Sequence, residues 1–397
     1  MAEVYQNAAL TISATGAVDS KAGLFQTVAK RTLFASVPLG EGLYGRETNL
    51  DNHWHPKAIS VVHAVPGTLE NSSEIHPEPL FRRAWTLQEW TLSPGIAHFA
   101  TGELLCECLT AQGCECQGAR LKPQRGDFQA LPRDLDSFCS GRNWETLVSI
   151  FTRRQITYDS DRLPALSGIA KLLATRRPPG DRYIAGLWTS EMPLALLWER
   201  DLGDSLMTIP NPSRPAGYYA PSWSWVSVIG SVRRLRRGAL LFIHGAAQIH
   251  CQVLGISRGL ANPRNPYGSL CYASLKLNGM LVNVGDISTS RFGLLSVGRE
   301  IDKEIITEYH ERVDITFVSD VWKPYDENNR IVFCDVIFFP ILSSRNGTHW
   351  EGLALRLVDS GGRIDRYTRI GTLALDTDAC DAWLEDFGAS RETFVIV

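Results

Sequence analysis

The chain has 397 residues, of which 44% are hydrophobic and 21% charged, and its formal net charge is −3. Its length exceeds the roughly 250–300 residues that one core holds, so two or three domains are expected, and the ordinary globular composition excludes a large disordered fraction. The balanced charge lacks the basic footprint of a nucleic-acid binder, and no stretch approaches the roughly 20 apolar residues of a membrane span, so neither partner is expected. Without a secretion signal at its start, the chain is expected in the cytoplasm with its nine cysteines as reduced thiols.

In chain order, residues 2–7 read as a helix running into a strand at 9–14. Residues 15–79 are rich in Gly, Asn, His and Pro, and only 58–65, with Ile59, Val61, Val62 and Val65, look like a strand. A helix is expected over 80–92. Pro79 suits its start, Ser93-Pro94-Gly95 stops it, and Trp85 and Glu89 share a face at i and i+4 with Gln88 and Leu92 on the same stripe. Strands at 96–99 and 103–108 follow, and a loop with Pro123, Gly126 and Pro132 places a boundary near residue 125. From Trp144 the period turns helical, with Leu147, Val148 and Phe151 at i+3, i+4 and i+7. A second helix spans 163–174, capped by Asp161 or Ser160 with Pro164 in its first turn. A third spans 192–200, with Leu194, Leu197 and Trp198 on one side. The alternation in Pro221-Ser222-Trp223-Ser224-Trp225-Val226-Ser227 is strand-like, and Trp198, Trp223 and Trp225 suit a core better than a ligand site. The run Arg233-Arg234-Leu235-Arg236-Arg237 reads as a solvated hairpin tip. Apolar segments at 239–256, 270–284, 312–319, 331–342, 352–358 and 370–375, with turns at Asn346-Gly347 and Gly361-Gly362, predict a β-rich barrel or sandwich. The fold class is α+β, with a domain at 1–125, a helical middle at 126–226 and a β-rich domain at 227–397.

Few groups suggest chemistry. Glu89 lies on an otherwise apolar stripe, so it is either paired, with Arg82 or Arg83, or functional. Cys106, Cys108, Cys114 and Cys116 form C-x-C-x5-C-x-C; two such strands paired as a hairpin could turn four thiolates to a zinc ion, although structural zinc favours wider knuckles. The expectation is no metal. His53, His55 and His76 lack nearby ligands to complete a set, His98 suits a satisfied core histidine, and Asp159, Asp161 and Arg162 suit capping and pairing. There is no Gly-rich phosphate loop, G-x-S-x-G or H-E-x-x-H.

The stretches Arg83-Ala84-Trp85-Thr86-Leu87-Gln88-Glu89, Leu92-Ser93-Pro94, Ile96-Ala97-His98-Phe99 and Glu103-Leu104-Leu105-Cys106-Glu107-Cys108 resemble the closing block of the fungal heterokaryon incompatibility (HET) domain. Val4-Tyr5-Gln6-Asn7-Ala8-Ala9-Leu10-Thr11-Ile12-Ser13-Ala14 resembles its middle block. Tyr158 to Ala170, Ala185-Gly186-Leu187-Trp188 and Ala220-Pro221-Ser222-Trp223-Ser224-Trp225 are similar to the region that follows it, so the resemblance covers roughly residues 1–230. It implies a partial α/β domain related to the Toll/interleukin receptor (TIR) fold, acting in non-self recognition and programmed cell death. It further implies Glu89 as a catalytic glutamate supported by Trp85 and Gln88, with Thr86 where NAD-cleaving TIR domains have cysteine, and NAD as the substrate. Protein partners or self-association through the domain are implied as well. The family's opening elements, Tyr-x-Trp-Gly and Trp-Ile-Asp-x-x-Cys-Ile-Asn-Gln, do not occur. A truncated start or a natural remnant is therefore expected, with a poor enzyme or a non-catalytic adaptor as the alternative to an effector.

Overall fold

The structure, a computed structural model, describes residues 2–25, 36–40, 43–46, 78–100, 104–108, 111–114, 122–123, 141–201, 213–234, 247–290, 295–297, 313–320, 330–360, 362–377 and 389–397. The strand expected at 58–65 and His53, His55 and His76 lie outside these residues. The chain divides into two compact units, residues 1–140 with 154–156, and residues 141–153 with 157–397.

The first unit contains α1 (Ala2–Gln6), β1 (Thr11–Ser13), the hairpin β2 (Ser36–Gly40) and β3 (Leu43–Arg46), α2 (Trp85–Leu92), β4 (Gly95–Phe99), β5 (Leu104–Cys108), β6 (Ala111–Cys114) and β7 (Lys122–Pro123). Its main sheet runs β1-β4-β5-β6-β7, with β1 parallel to β4 and the other pairs antiparallel. The helix expected at 80–92 is split. Pro79–Arg82 is a 3-10 turn, Arg83 is extended, and α2 starts at Trp85. The break comes from a backbone bridge between Arg83 and Gln155: Ala84 N–H donates to the Gln155 carbonyl at 2.8 Å and Gln155 N–H to that of Arg82 at 2.6 Å. No local preference in the sequence reports such a long-range pair. At the other end the stop is as read. The Ser93 hydroxyl donates to the Glu89 carbonyl at 2.7 Å, and Gly95 already opens β4.

In the second unit, α3 (Gly141–Thr152) buries Trp144, Leu147, Val148 and Phe151, the face set by their spacing. The helix α4 (Pro164–Ala174) has proline in its first turn but no side-chain cap, because Asp159–Asp161 form a 3-10 turn ahead of it. The short pair β8 (Tyr183–Ile184) and β9 (Leu187–Trp188) follows. The helix expected at 192–200 does not form. Pro193 holds Met192 extended, Leu194–Leu196 make one 3-10 turn, and β10 (Trp198–Arg200) pairs with β11 (Val232–Arg234). Arg233 is therefore a strand residue bonded to Glu199 at 2.8 Å, not a solvated tip; residues 235–237 lie outside the described set.

The strand expected at 221–227 is instead a turn, with a 3-10 segment at Trp225–Ser227. Its alternation has another cause. The Ser224 hydroxyl accepts from Val226 N–H and donates to the Ala185 carbonyl, while Trp223 and Trp225 bury 0% and 1% exposed rings. The Gly186 carbonyl accepts both the Trp144 indole at 2.9 Å and the Trp225 indole at 3.0 Å. Gly186 sits at φ +88°, and a Cβ there would lie 2.5 Å from Trp225 Nε1, so both conformation and space require glycine.

The rest of the unit is β-rich, as read: β12 (Ala247–Ile249), β13 (Gln252–Leu260), β14 (Leu270–Ser290), β15 (Leu295–Val297), β16 (Val313–Ser319), β17 (Arg330–Ser344), β18 (His349–Asp359), β19 (Arg366–Thr377) and β20 (Ser390–Ile396). The 21-residue β14 pairs with β20 through its first half and with β17 through its second, so the ring β14-β17-β18-β19-β20 closes on itself. Register shifts around Gly285, at φ +77°, bend the strand between these partners. Alternate residues such as Val282, Ile287, Val336, Phe338, Trp350 and Leu373 form its core. Among the described residues, no helix is long and apolar enough to cross a membrane.

Candidate functional site

The α2 helix is held against its sheet by a buried polar chain. The Trp90 indole N–H donates to Glu107 Oε1 at 2.7 Å, and His98 Nε2 meets the same oxygen at 2.5 Å. His98 Nδ1 lies 3.0 Å from the Thr15 hydroxyl, which reaches Ser13 at 2.9 Å. The set is satisfied when His98 donates from Nε2 and accepts at Nδ1. Thr15, His98 and Glu107 are 0%, 1% and 6% exposed, so this hydroxyl–imidazole–carboxylate series is a core tie. His98 is the satisfied core histidine expected. Phe81 packs beside it, 5.5 Å from the His98 ring and 5.8 Å from Trp90.

Glu89 follows Trp90's neighbour Gln88 along the same helix, and Trp85 and Glu89 are both half-buried while Gln88 is 2% exposed. Burial pushes the Glu89 carboxyl above the usual carboxylate range, only partly offset by a hydrogen bond from the Tyr5 hydroxyl of α1 and by the charge of Arg83. The same contact, together with burial, raises Tyr5. The charge of Arg83 also favours the ionised form of Glu89, a smaller influence than the Tyr5 hydrogen bond. Thr86 is a helix fastener: its hydroxyl donates to the Leu80 and Arg83 carbonyls and accepts from Arg154 Nη1 at 3.1 Å. Burial next to the Phe81 ring pulls the Arg154 guanidinium down to about 9.

Of the four cysteines, Cys106 and Cys108 have described side chains on β5. Cys106 is exposed and Cys108 half-buried, but the register pairs Cys106 with Gly113 and Leu105 with Cys114. Cys116 lies outside the described residues. Among the described residues, no group of three or more His, Cys, Asp or Glu is placed to hold a metal. Asp159 and Asp161 form their 3-10 turn, and Arg162 is buried at 4% exposure, 5.6 Å over the Trp225 ring.

The sequence pattern pointed to Glu89 and missed Tyr5 and Glu107. Tyr5 could not be found, because the α1–α2 contact joins residues 84 positions apart. Glu107 left a trace: it alternates with Cys106 in phase with Leu105, which puts a carboxylate on the inward face of β5. Comparison with family models, with curated proteins and with solved structures finds no match to this chain.

Proposed function

We propose that the chain is an incompatibility-type signalling protein of fungal non-self recognition and programmed cell death, with a partial TIR-like first unit in which Glu89 is the working carboxylate. The observation that carries this reading is the state of Glu89. It is half-buried, hydrogen-bonded by Tyr5, and kept above the ordinary carboxylate range by burial. Groups shifted by burial and a specific partner concentrate at functional sites. Cleavage of the nicotinamide–ribose bond of NAD proceeds through an oxocarbenium-like state, which a carboxylate at this position can stabilise or whose ribose hydroxyls it can hold. Trp85 and Gln88 support that carboxylate from the same helix.

The test is expression of the chain in fungal cells with and without Glu89→Gln, following NAD content and viability together. Loss of both toxicity and NAD depletion in the variant supports the catalytic reading. Toxicity that persists in Glu89→Gln with NAD unchanged overturns it in favour of a second reading, a non-catalytic adaptor that works by association. One observation favours that alternative: on the sheet of the first unit, among the described residues, the apolar Ile12 is 62% exposed.

A further inference from the structure

In the second unit, Arg258 near the end of β13 is held by backbone and not by an acid. Its Nη1 donates to the carbonyl of Tyr183 at 2.5 Å and to that of Pro266 at 3.4 Å. Both anchors are rigid. Tyr183 is 3% exposed, its ring 5.2 Å from that of Trp188 and 5.5 Å from that of Trp144. Pro266 belongs to the β13–β14 connection, residues 261–269, which two asparagines close as successive turns. Asn262 Oδ1 accepts from the Arg264 N–H at 3.0 Å, and Asn265 Oδ1 from the Tyr267 N–H at 3.3 Å. With Nη1 taken, the Arg258 guanidinium keeps its Nε–Nη2 edge. Arg369 lays that same edge on Asp320, at 3.0 Å from each nitrogen. Among the described residues, the edge of Arg258 meets no carboxylate.

Its surroundings are positive instead. The carbonyl that anchors Arg258 belongs to the residue after Arg182, whose side chain is exposed and, among the described residues, forms no ion pair. Burial lowers the Arg258 guanidinium and the charge of Arg182 adds to the fall, while the Tyr267 phenol opposes it. Asp181, the acid next in sequence, is already engaged by Arg177, Thr189 and Ser190. The connection at 261–269 adds Arg264 and contains no acid. Tyr267 stands over the same anchor, its ring 5.9 Å from that of Tyr183. Two like charges fixed side by side cost stability that a bridging anion recovers.

We propose that Arg258, Arg182 and the Tyr267 hydroxyl form a binding site for a phosphomonoester. Arg258 supplies a fixed pair of parallel N–H donors, Tyr267 an O–H donor, and Arg182 a second charge on a flexible stem. A phosphomonoester brings close to two negative charges and three acceptor oxygens, which match this set. A carboxylate has a single charge, so it would satisfy the edge of Arg258 and leave Arg182 unneutralised. The site lies in the second unit and is independent of the reading of Glu89.

Isothermal titration of the full chain with phenyl phosphate, phenyl sulfate and benzoate tests the site, because these probes share a ring and differ in charge and oxygen geometry. Phenyl phosphate is expected to bind one to one and about tenfold more tightly than the other two. Arg258→Lys keeps the charge but loses the parallel donors, and is expected to weaken phenyl phosphate about tenfold. Arg182→Gln, at an exposed side chain that the fold does not use, is expected to weaken it to a similar degree, so the test does not depend on how β13 tolerates the lysine. Tyr267→Phe should cost about threefold, the loss of one hydrogen bond. Equal binding of the three probes, or unchanged phenyl phosphate binding in Arg182→Gln, overturns the proposal and reduces the pair to ordinary surface charge. Adenosine monophosphate and a phosphoserine tripeptide then separate the two sources of such a group. Tighter binding of the first assigns a free metabolite, tighter binding of the second a phosphorylated side chain, and binding of neither overturns the proposal.

Discussion

Glu89 costs the first unit stability, and that cost is measurable. A carboxyl whose folded pKa is raised contributes fully below its unfolded value and loses that contribution as pH rises through the folded one. At neutral pH the ionised Glu89 is therefore a burden, relieved only in part by Tyr5 and Arg83. Glu89→Gln keeps an acceptor for Tyr5 and removes the charge, so it should raise the thermal midpoint at pH 7 and leave it nearly unchanged at pH 4, read by scanning calorimetry. Tyr5→Phe removes the hydrogen bond that holds the carboxyl down. The Glu89 carboxyl carbon, followed by NMR against pH, should then titrate higher than in the parent chain. A salt-bridged structural glutamate would behave in the opposite way, losing stability at neutral pH when neutralised. At this scale the sequence is informative about which residue stands out and silent about why. An acid on the stripe of Trp85, Gln88 and Leu92 is visible from periodicity, whereas its partner on α1 is a product of packing.

Elements that bury one face over several turns or alternate over five or more residues were legible: α3, α4, β5 and the long strands of the ring. Short segments were not, and the reasons are specific. Pro193 and the ladder with Val232–Arg234 turn 192–200 from helix into turn and strand, while the Trp–Ser alternation of 222–225 comes from hydroxyls that close a turn under two indoles. In these places a few long-range bonds outweigh a weak local preference. The tie between Ala185-Gly186-Leu187-Trp188 and the second tryptophan segment is such a case. Gly186→Ala should cost about 3 kcal/mol or more, because the methyl group meets Trp225 in a left-handed backbone. A drop in the denaturant midpoint followed by tryptophan emission measures it. Within the first unit, Glu107→Gln should cost about 1 kcal/mol, since a neutral amide oxygen accepts from His98 and Trp90 more weakly than a carboxylate oxygen. Retained stability in that variant would mean that the helix is held by apolar contact alone.

Across the whole chain, the pH dependence of stability should be dominated by groups whose protonated form the fold favours. In the ring, His349 bridges Glu351 at 2.8 Å and Asp376 at 2.6 Å. Burial pulls the imidazole down, but hydrogen bonds and charge from these two carboxylates outweigh it and hold His349 above its ordinary value. Burial likewise raises Glu199, with Glu351 adding to the shift and Arg233 opposing it. All these groups, and Glu89, contribute on the acid side and lose their contribution as pH rises through their folded values. Asp181, held below its ordinary range by hydrogen bonds from Ser190, Arg177 and Thr189 despite burial, acts in the reverse sense and is lost on acidification. The raised imidazole of His349 extends this loss above pH 6.5. Glu351 is 0% exposed and its Oε2 has no hydrogen-bond partner, so deprotonation of His349 leaves a buried carboxylate without its cation. Stability should therefore fall as pH rises above 6.5 through the raised value of His349. In His349→Gln the fall should disappear, with the chain less stable than the parent at pH 6 and the two converging at high pH. His349→Ala, which also removes the hydrogen bonds, should cost about 3 kcal/mol at pH 6. Urea unfolding at half-unit pH steps separates these outcomes. A parent slope that survives His349→Gln would move the titration to another group and leave the His349–Glu351 pair neutral in the folded chain.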